Sequence, residues 1–195
     1  MKAKIIALTG GIGSGKSLAL EIIKNAGYKT LSSDEIVAEL YQTRKVKKLL
    51  KALFPSAVTG FINLKIDRKK ISEIVFSDVQ MHKKLTSAIT PLVLEQIKLR
   101  TRNCAQPVFV EVPLLFECGY QIHFDGVIVL VRPKDMRIES VKTRSKLTEE
   151  QIIARMNAQT DYDTFDLSPY KVILNDGDVE ALKTEIISLA KKLTE

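Results

Sequence analysis

Residues 10–17 read GGIGSGKS, so four residues separate Gly10 from Gly15, and Lys16 and Ser17 follow at once. This spacing suits the binding of a chain of phosphates. Several anionic oxygens must be wrapped by backbone N–H groups, and side chains on the loop would block that approach. Gly11, Ile12, Gly13, Ser14 and Gly15 would supply the wrap. A helix beginning near Lys16 would then aim unpaired N–H donors and a partial positive charge at the phosphates. Lys16 can neutralise β/γ oxygens, the Ser17 hydroxyl can enter the shell of a Mg²⁺ ion, and Leu18 offers only its backbone N–H. The rival reading is a glycine-rich turn that happens to end in Lys-Ser. Against it stand an apolar strand before the run and a helical stripe after it, the context that a phosphate loop requires. The match alone does not separate a kinase from a GTPase or an ATP-driven motor.

Other side chains could act beside such a loop. Asp34 follows a second short strand, at the edge where open parallel sheets bind ligands, and could orient or deprotonate a hydroxyl there. It could equally stabilise the first turn of a helix through the dipole. Arg144 and Arg155 lie in a segment with Thr148 at an apparent N-cap and Gln151 three residues later. A helical lid carrying these arginines would close over a nucleotide, exclude water and stabilise charge on a transferring group. A solvated helix pair is the alternative, and Arg137, Lys142 and Lys146 read as surface charge. Leu114 and Leu115 follow a buried strand and read as core on composition. His82 and His123 have no neighbour at ligand spacing. Cys104 and Cys118, the only cysteines, read as reduced thiols.

These residues need a scaffold. Short apolar runs at Lys4–Leu8, Tyr28–Leu31, Val108–Val112, Val127–Val131 and Lys171–Leu174 read as strands. Helical stripes lie between them: Leu20, Ile23 and Ala26 stop at Gly27, and Leu182, Ile186, Leu189 and Leu193 close the chain. Residues 34–103 are mainly helical in pattern, with Ser32 and Glu35 resembling a capping box. Alternating strands and helices imply α/β architecture: a parallel sheet flanked by helices, with a helical insert. At 195 residues and 45% hydrophobic, one domain is expected. Its core would take about 1–33, 105–135 and 165–195, the helical region about 34–104 and the lid about 136–160. No apolar run is long enough to span a membrane, and the N-terminal run is too short for a signal-peptide core, so a cytoplasmic address is expected. The net charge of +7 fits an anionic partner. It is dispersed, however, and RKVKKLLK at 44–51 reads as a helix with one solvated face, so neither nucleic acid nor membrane is expected as a partner.

Taken together the motifs resemble the dephospho-CoA kinase family. The resemblance rests on IALTGGIGSGKS near the start, Asp34, VPLLFE at 112–117, RSKLTEEQIIARMNAQ at 144–159 and Asn175. No Asn-Lys-x-Asp base-reading element of the GTPase type occurs. The resemblance implies a P-loop kinase fold and transfer of a phosphate from ATP, with Mg²⁺, to the ribose 3′-hydroxyl of dephospho-CoA, giving coenzyme A. It implies Asp34, Lys16 and Arg144 as catalytic residues. ATP would be held by residues 11–18, Arg144, Arg155 and Asn175. Dephospho-CoA would meet Asp34, Pro113, Leu114, Leu115 and Glu117, and a monomer or small homo-oligomer is expected. Four positions depart from the family pattern: Ser32 for an acid, Thr90 for a histidine, Ser140 for a lid arginine and Leu18 for a threonine. The alternatives are another small-molecule kinase of nucleoside monophosphate, shikimate or gluconate type, or a nucleotide-dependent switch or nucleic-acid-binding NTPase.

Overall fold

The computed structural model describes residues 3–194, apart from the side chains of Phe76 and Thr194. Its first strand, β1 (Ile5–Gly10), is buried at all six positions. It leads through the glycine run into α1 (Lys16–Asn25) and β2 (Lys29–Ser32). Next come α2 (Ser33–Leu40), α3 (Arg44–Leu53), a hairpin of β3 (Val58–Thr59) and β4 (Lys65–Ile66), α4 (Arg68–Ser77) and α5 (Val79–Thr101). The chain ends with β5 (Val108–Glu111), β6 (Gly126–Val131), α6 (Lys134–Arg144), α7 (Glu149–Asn157), β7 (Lys171–Leu174) and α8 (Val179–Thr194).

The chain divides into two compact units, residues 33–100 and the remainder. The larger holds a five-stranded sheet in the order β2-β5-β1-β6-β7, with every pairing parallel. The register places Ile6 beside Phe109, Leu8 beside Ile128 and Leu130 beside Ile173, so these side chains share one face. On that face they pack with Ala19, Ile22 and Ile23 of α1 and Leu182, Ile186 and Ala190 of α8. Tyr28 meets Phe109 edge-on, with ring centroids 5.4 Å apart. Each fully buried Leu, Ile or Phe here contributes about 1.5–3 kcal/mol relative to exposure. Because β5 and β6 flank β1 on opposite sides, the strand order reverses at β1. The loop after β1 therefore opens at the switch point where parallel sheets bind ligands.

The smaller unit is helical, with the short β3–β4 hairpin added. Two-residue strands carry no readable alternation, which is why the hairpin has no signature in the sequence. Thr43 caps α3 by accepting from the Val46 N–H, and Asp67 caps α4 by accepting from the Lys70 N–H. Lys51 Nζ donates to the Val58 carbonyl at 2.6 Å, tying α3 to the hairpin. The Arg68 guanidinium lies 5.4 Å from the Tyr41 ring, and Arg100 pairs with Glu39. Pro91 sits inside α5, which runs through it. No helix among the described residues is long and apolar enough to cross a membrane.

Candidate active site

The glycine run turns from the end of β1 into the first turn of α1. The Ser14 N–H donates to the Gly11 carbonyl at 3.1 Å, and Gly15 caps α1 in the left-handed region with φ 95°. Glycine is required here for a reason beyond phosphate approach. A Cβ on Gly15 would lie 2.4 Å from Asn175 Nδ2, and one on Gly13 would lie 2.5 Å from the Arg137 carbonyl oxygen. Main chain and a buried amide occupy the space that side chains would need. The loop is thus packed from behind by the protein itself.

Lys16 is buried, and its Nζ donates to the Gly10 carbonyl at 2.8 Å and the Gly11 carbonyl at 2.9 Å. Ser17 is exposed, and its hydroxyl donates to Glu111 Oε1 at 3.3 Å. Glu111, at the carboxyl end of β5, is a site residue that sequence reasoning missed. Its place depends on the register that sets it level with Leu8 and Ser32. The hydroxyl and carboxylate suit a hard divalent cation that keeps water and substrate oxygens in its shell. No group of three or more His, Cys, Asp or Glu that could enclose a metal occurs among the described residues. Leu18 has its side chain exposed. Asn175 is buried; its Nδ2 donates to the Ser14 carbonyl at 2.9 Å, and its own N–H donates to the Val131 carbonyl at 2.8 Å. Its amide thus holds the loop from the end of β7.

A second layer comes from α6 and α7. Ile138, Val141, Ile152 and Met156 form a small separate core, and Ile12 of the loop packs against it. Thr148 and Gln151 make the reciprocal capping box at the start of α7, with bonds of 3.4 and 3.1 Å. Beyond α7, Gln159 Oε1 accepts the Ile12 N–H at 2.7 Å. Arg144 and Arg155 are both exposed on this pair of helices. Arg137 is different from the surface charge expected of it. It is half-buried, and its Nη1 would lie 2.6 Å from a Cβ on Gly11. Burial lowers its pKa, while Asp163, Tyr162 and Asp161 pull it back up. A guanidinium remains charged under these conditions. Helical periodicity could not find it, because α6 had to dock before the neighbour of Arg137 was defined.

The segment after β5 divides by burial. Leu115 is fully buried, so its side chain packs inside, whereas Leu114 is exposed and Pro113 is partly so. Phe116 joins a ring cluster with Phe165 at 4.7 Å, Tyr170 at 4.9 Å and Tyr162 at 6.1 Å. Glu117 Oε1 accepts the Thr160 N–H at 2.6 Å, linking this segment to the chain beyond α7. Burial pushes the Tyr162 hydroxyl up to about 12, so it is a neutral group near Thr9 and the Gly10 backbone. Asp34 lies in the first turn of α2 in the smaller unit, with its side chain exposed.

A family model described as dephospho-CoA kinase matches residues 4–181. A dephospho-CoA kinase of Thermus thermophilus is 33% identical over 194 residues, covering 97% of this chain and 92% of the relative. The crystal structure of TT1252 from Thermus thermophilus superposes with a TM-score of 0.85 at 32% identity, covering 100% of both chains. A dephospho-CoA kinase structure from Campylobacter jejuni gives a TM-score of 0.67 at 27% identity, covering 97% of this chain and 96% of that one. The phosphate loop, the parallel sheet that presents it and a match running almost end to end therefore agree, and the chain belongs to the dephospho-CoA kinase family.

Proposed function

We propose that this chain transfers the terminal phosphoryl group of ATP to the ribose 3′-hydroxyl of dephospho-CoA, giving coenzyme A and ADP in the last step of coenzyme A synthesis. The observation that carries this reading is the glycine loop and its Lys16, set at the switch point of a parallel sheet in a chain of this family. Phosphoryl transfer asks a protein mainly for positioning and charge compensation. Backbone N–H groups of residues 11–18 hold the phosphates; those of Ile12 and Ser14 first leave Gln159 and the Gly11 carbonyl, as Lys16 exchanges its two loop carbonyls for phosphate oxygens. Asn175 fixes the Ser14 end of the loop. Ser17 would hold Mg²⁺, with Glu111 beside it, and the ion would neutralise charge on the phosphate oxygens.

Asp34 is assigned the acceptor hydroxyl, which it orients or deprotonates. Pro113, Leu114 and Glu117 are assigned to dephospho-CoA, as is the helical region 34–104. The pair α6–α7 acts as the lid, bringing Arg144 and Arg155 to the nucleotide and excluding water. We expect a cytoplasmic enzyme, working as a monomer or small homo-oligomer. The test is ADP release with dephospho-CoA set against AMP, shikimate and gluconate. Turnover with dephospho-CoA alone is expected; turnover only with one of the others overturns the assignment. Asp34→Asn should lower kcat by about 10²–10⁴, and unchanged turnover would remove Asp34 from its role.

A further inference from the structure

Arg137 and Lys16 meet at one glycine. Lys16 Nζ donates to the Gly11 carbonyl at 2.9 Å, while Arg137 Nη1 and Cζ would lie 2.6 and 3.3 Å from a Cβ built on the same residue. Two like charges drawn to one residue repel, and an anion bound at that residue turns the repulsion into attraction. The Arg137 carbonyl packs against Gly13, and its buried Nε has no hydrogen-bond partner among the described residues, so the guanidinium retains a donor for an incoming anion. The end of the loop served is the end that Lys16 reaches, which is where the outer phosphates of a triphosphate lie. A guanidinium fork suits a phosphate group, because two parallel N–H donors can meet two of its oxygens. Three residues further along α6 stands Ser140, at the position where the family resemblance implies an arginine.

Resting on the kinase reading above, we propose that Arg137 is a further phosphate-binding residue of the donor site, taking the terminal phosphate of ATP together with Lys16. The test compares ADP with an imido-bridged, non-hydrolysable ATP analogue, each titrated against the full-length chain in the presence of Mg²⁺ and without acceptor. Arg137→Ala should weaken the analogue about tenfold and leave ADP within about twofold, since only the analogue carries the phosphate in question. Arg137→Gln, which keeps most of the side-chain length, should show the same contrast and replaces the alanine variant if that one fails to fold. An equal loss for both nucleotides would mean that Arg137 merely props the loop, and would overturn the proposal. Unchanged affinity for both would overturn it as well. Coenzyme A formation by the unaltered chain is measured separately. If it failed while the nucleotide contrast held, the acceptor assignment alone would fall.

Discussion

The phosphate loop and the α6–α7 pair lie side by side in the same unit, yet they are built on opposite principles. The loop is fixed by polar side chains that bond to its backbone. Asn175 holds the Ser14 carbonyl, Gln159 holds the Ile12 N–H, Lys16 ties back to two carbonyls, and neighbouring atoms occupy the space above Gly13 and Gly15. The helix pair is fixed by side chains: four buried residues, Ile138, Val141, Ile152 and Met156, with its arginines Arg144 and Arg155 left in solvent. A loop already held in shape limits what must move when phosphate arrives to a change of partner by Lys16 and by the Ile12 and Ser14 N–H groups. A helix pair with a small core opens locally at less cost than global unfolding.

The strongest challenge to this contrast is Lys16→Ala. It should lower kcat by about 10²–10³ with a modest change in Tm, measured by steady-state kinetics and calorimetry. A kcat within a few-fold of the unaltered chain would deny the loop its role. Gly13→Ala strikes the seam between the two regions. Its φ of 79° and the 2.5 Å approach of the Arg137 carbonyl leave no room for a methyl group. A loss of about 3 kcal/mol, roughly 10 °C in Tm, is expected. An unaffected Tm would show that α6 yields freely and that the loop is less confined than its packing implies. The smallest effect is expected in the helix pair, at Thr148→Ala, which removes the cap of α7. The cost is about 1 kcal/mol, and it should emerge as faster amide exchange in α7 with almost no shift in the global midpoint. A loss of the full cap energy from global stability would join the helix pair to the sheet and erase the contrast.

The loop is readable in the sequence because its demands are local. Gly15 acts through its left-handed backbone, and Lys16 through carbonyls five and six residues away. Strand β7 is likewise readable at Lys171–Leu174, because a short apolar run before Asn-Asp-Gly has few other uses. Glu111 is not legible, since it gains meaning only when β5 pairs with β1 and brings its carboxylate to Ser17. Nor is Arg137, which looks like any solvated arginine until α6 settles on Gly11 and Gly13. The β3–β4 hairpin escapes because two residues per strand cannot show a period. Asn175 stands out through the family resemblance as a residue near the nucleotide, while its bond to Ser14 is a tertiary fact.

That last bond has a consequence for heat. β7 is the rim of the sheet, braced on one side only by β6, and Val172 and Leu174 are exposed. Fraying begins at such margins. Because Asn175 follows β7 directly, any loosening of the rim is relayed at once to Ser14 in the interior. On warming, the capacity to seat a nucleotide should fade several degrees before the sheet as a whole melts.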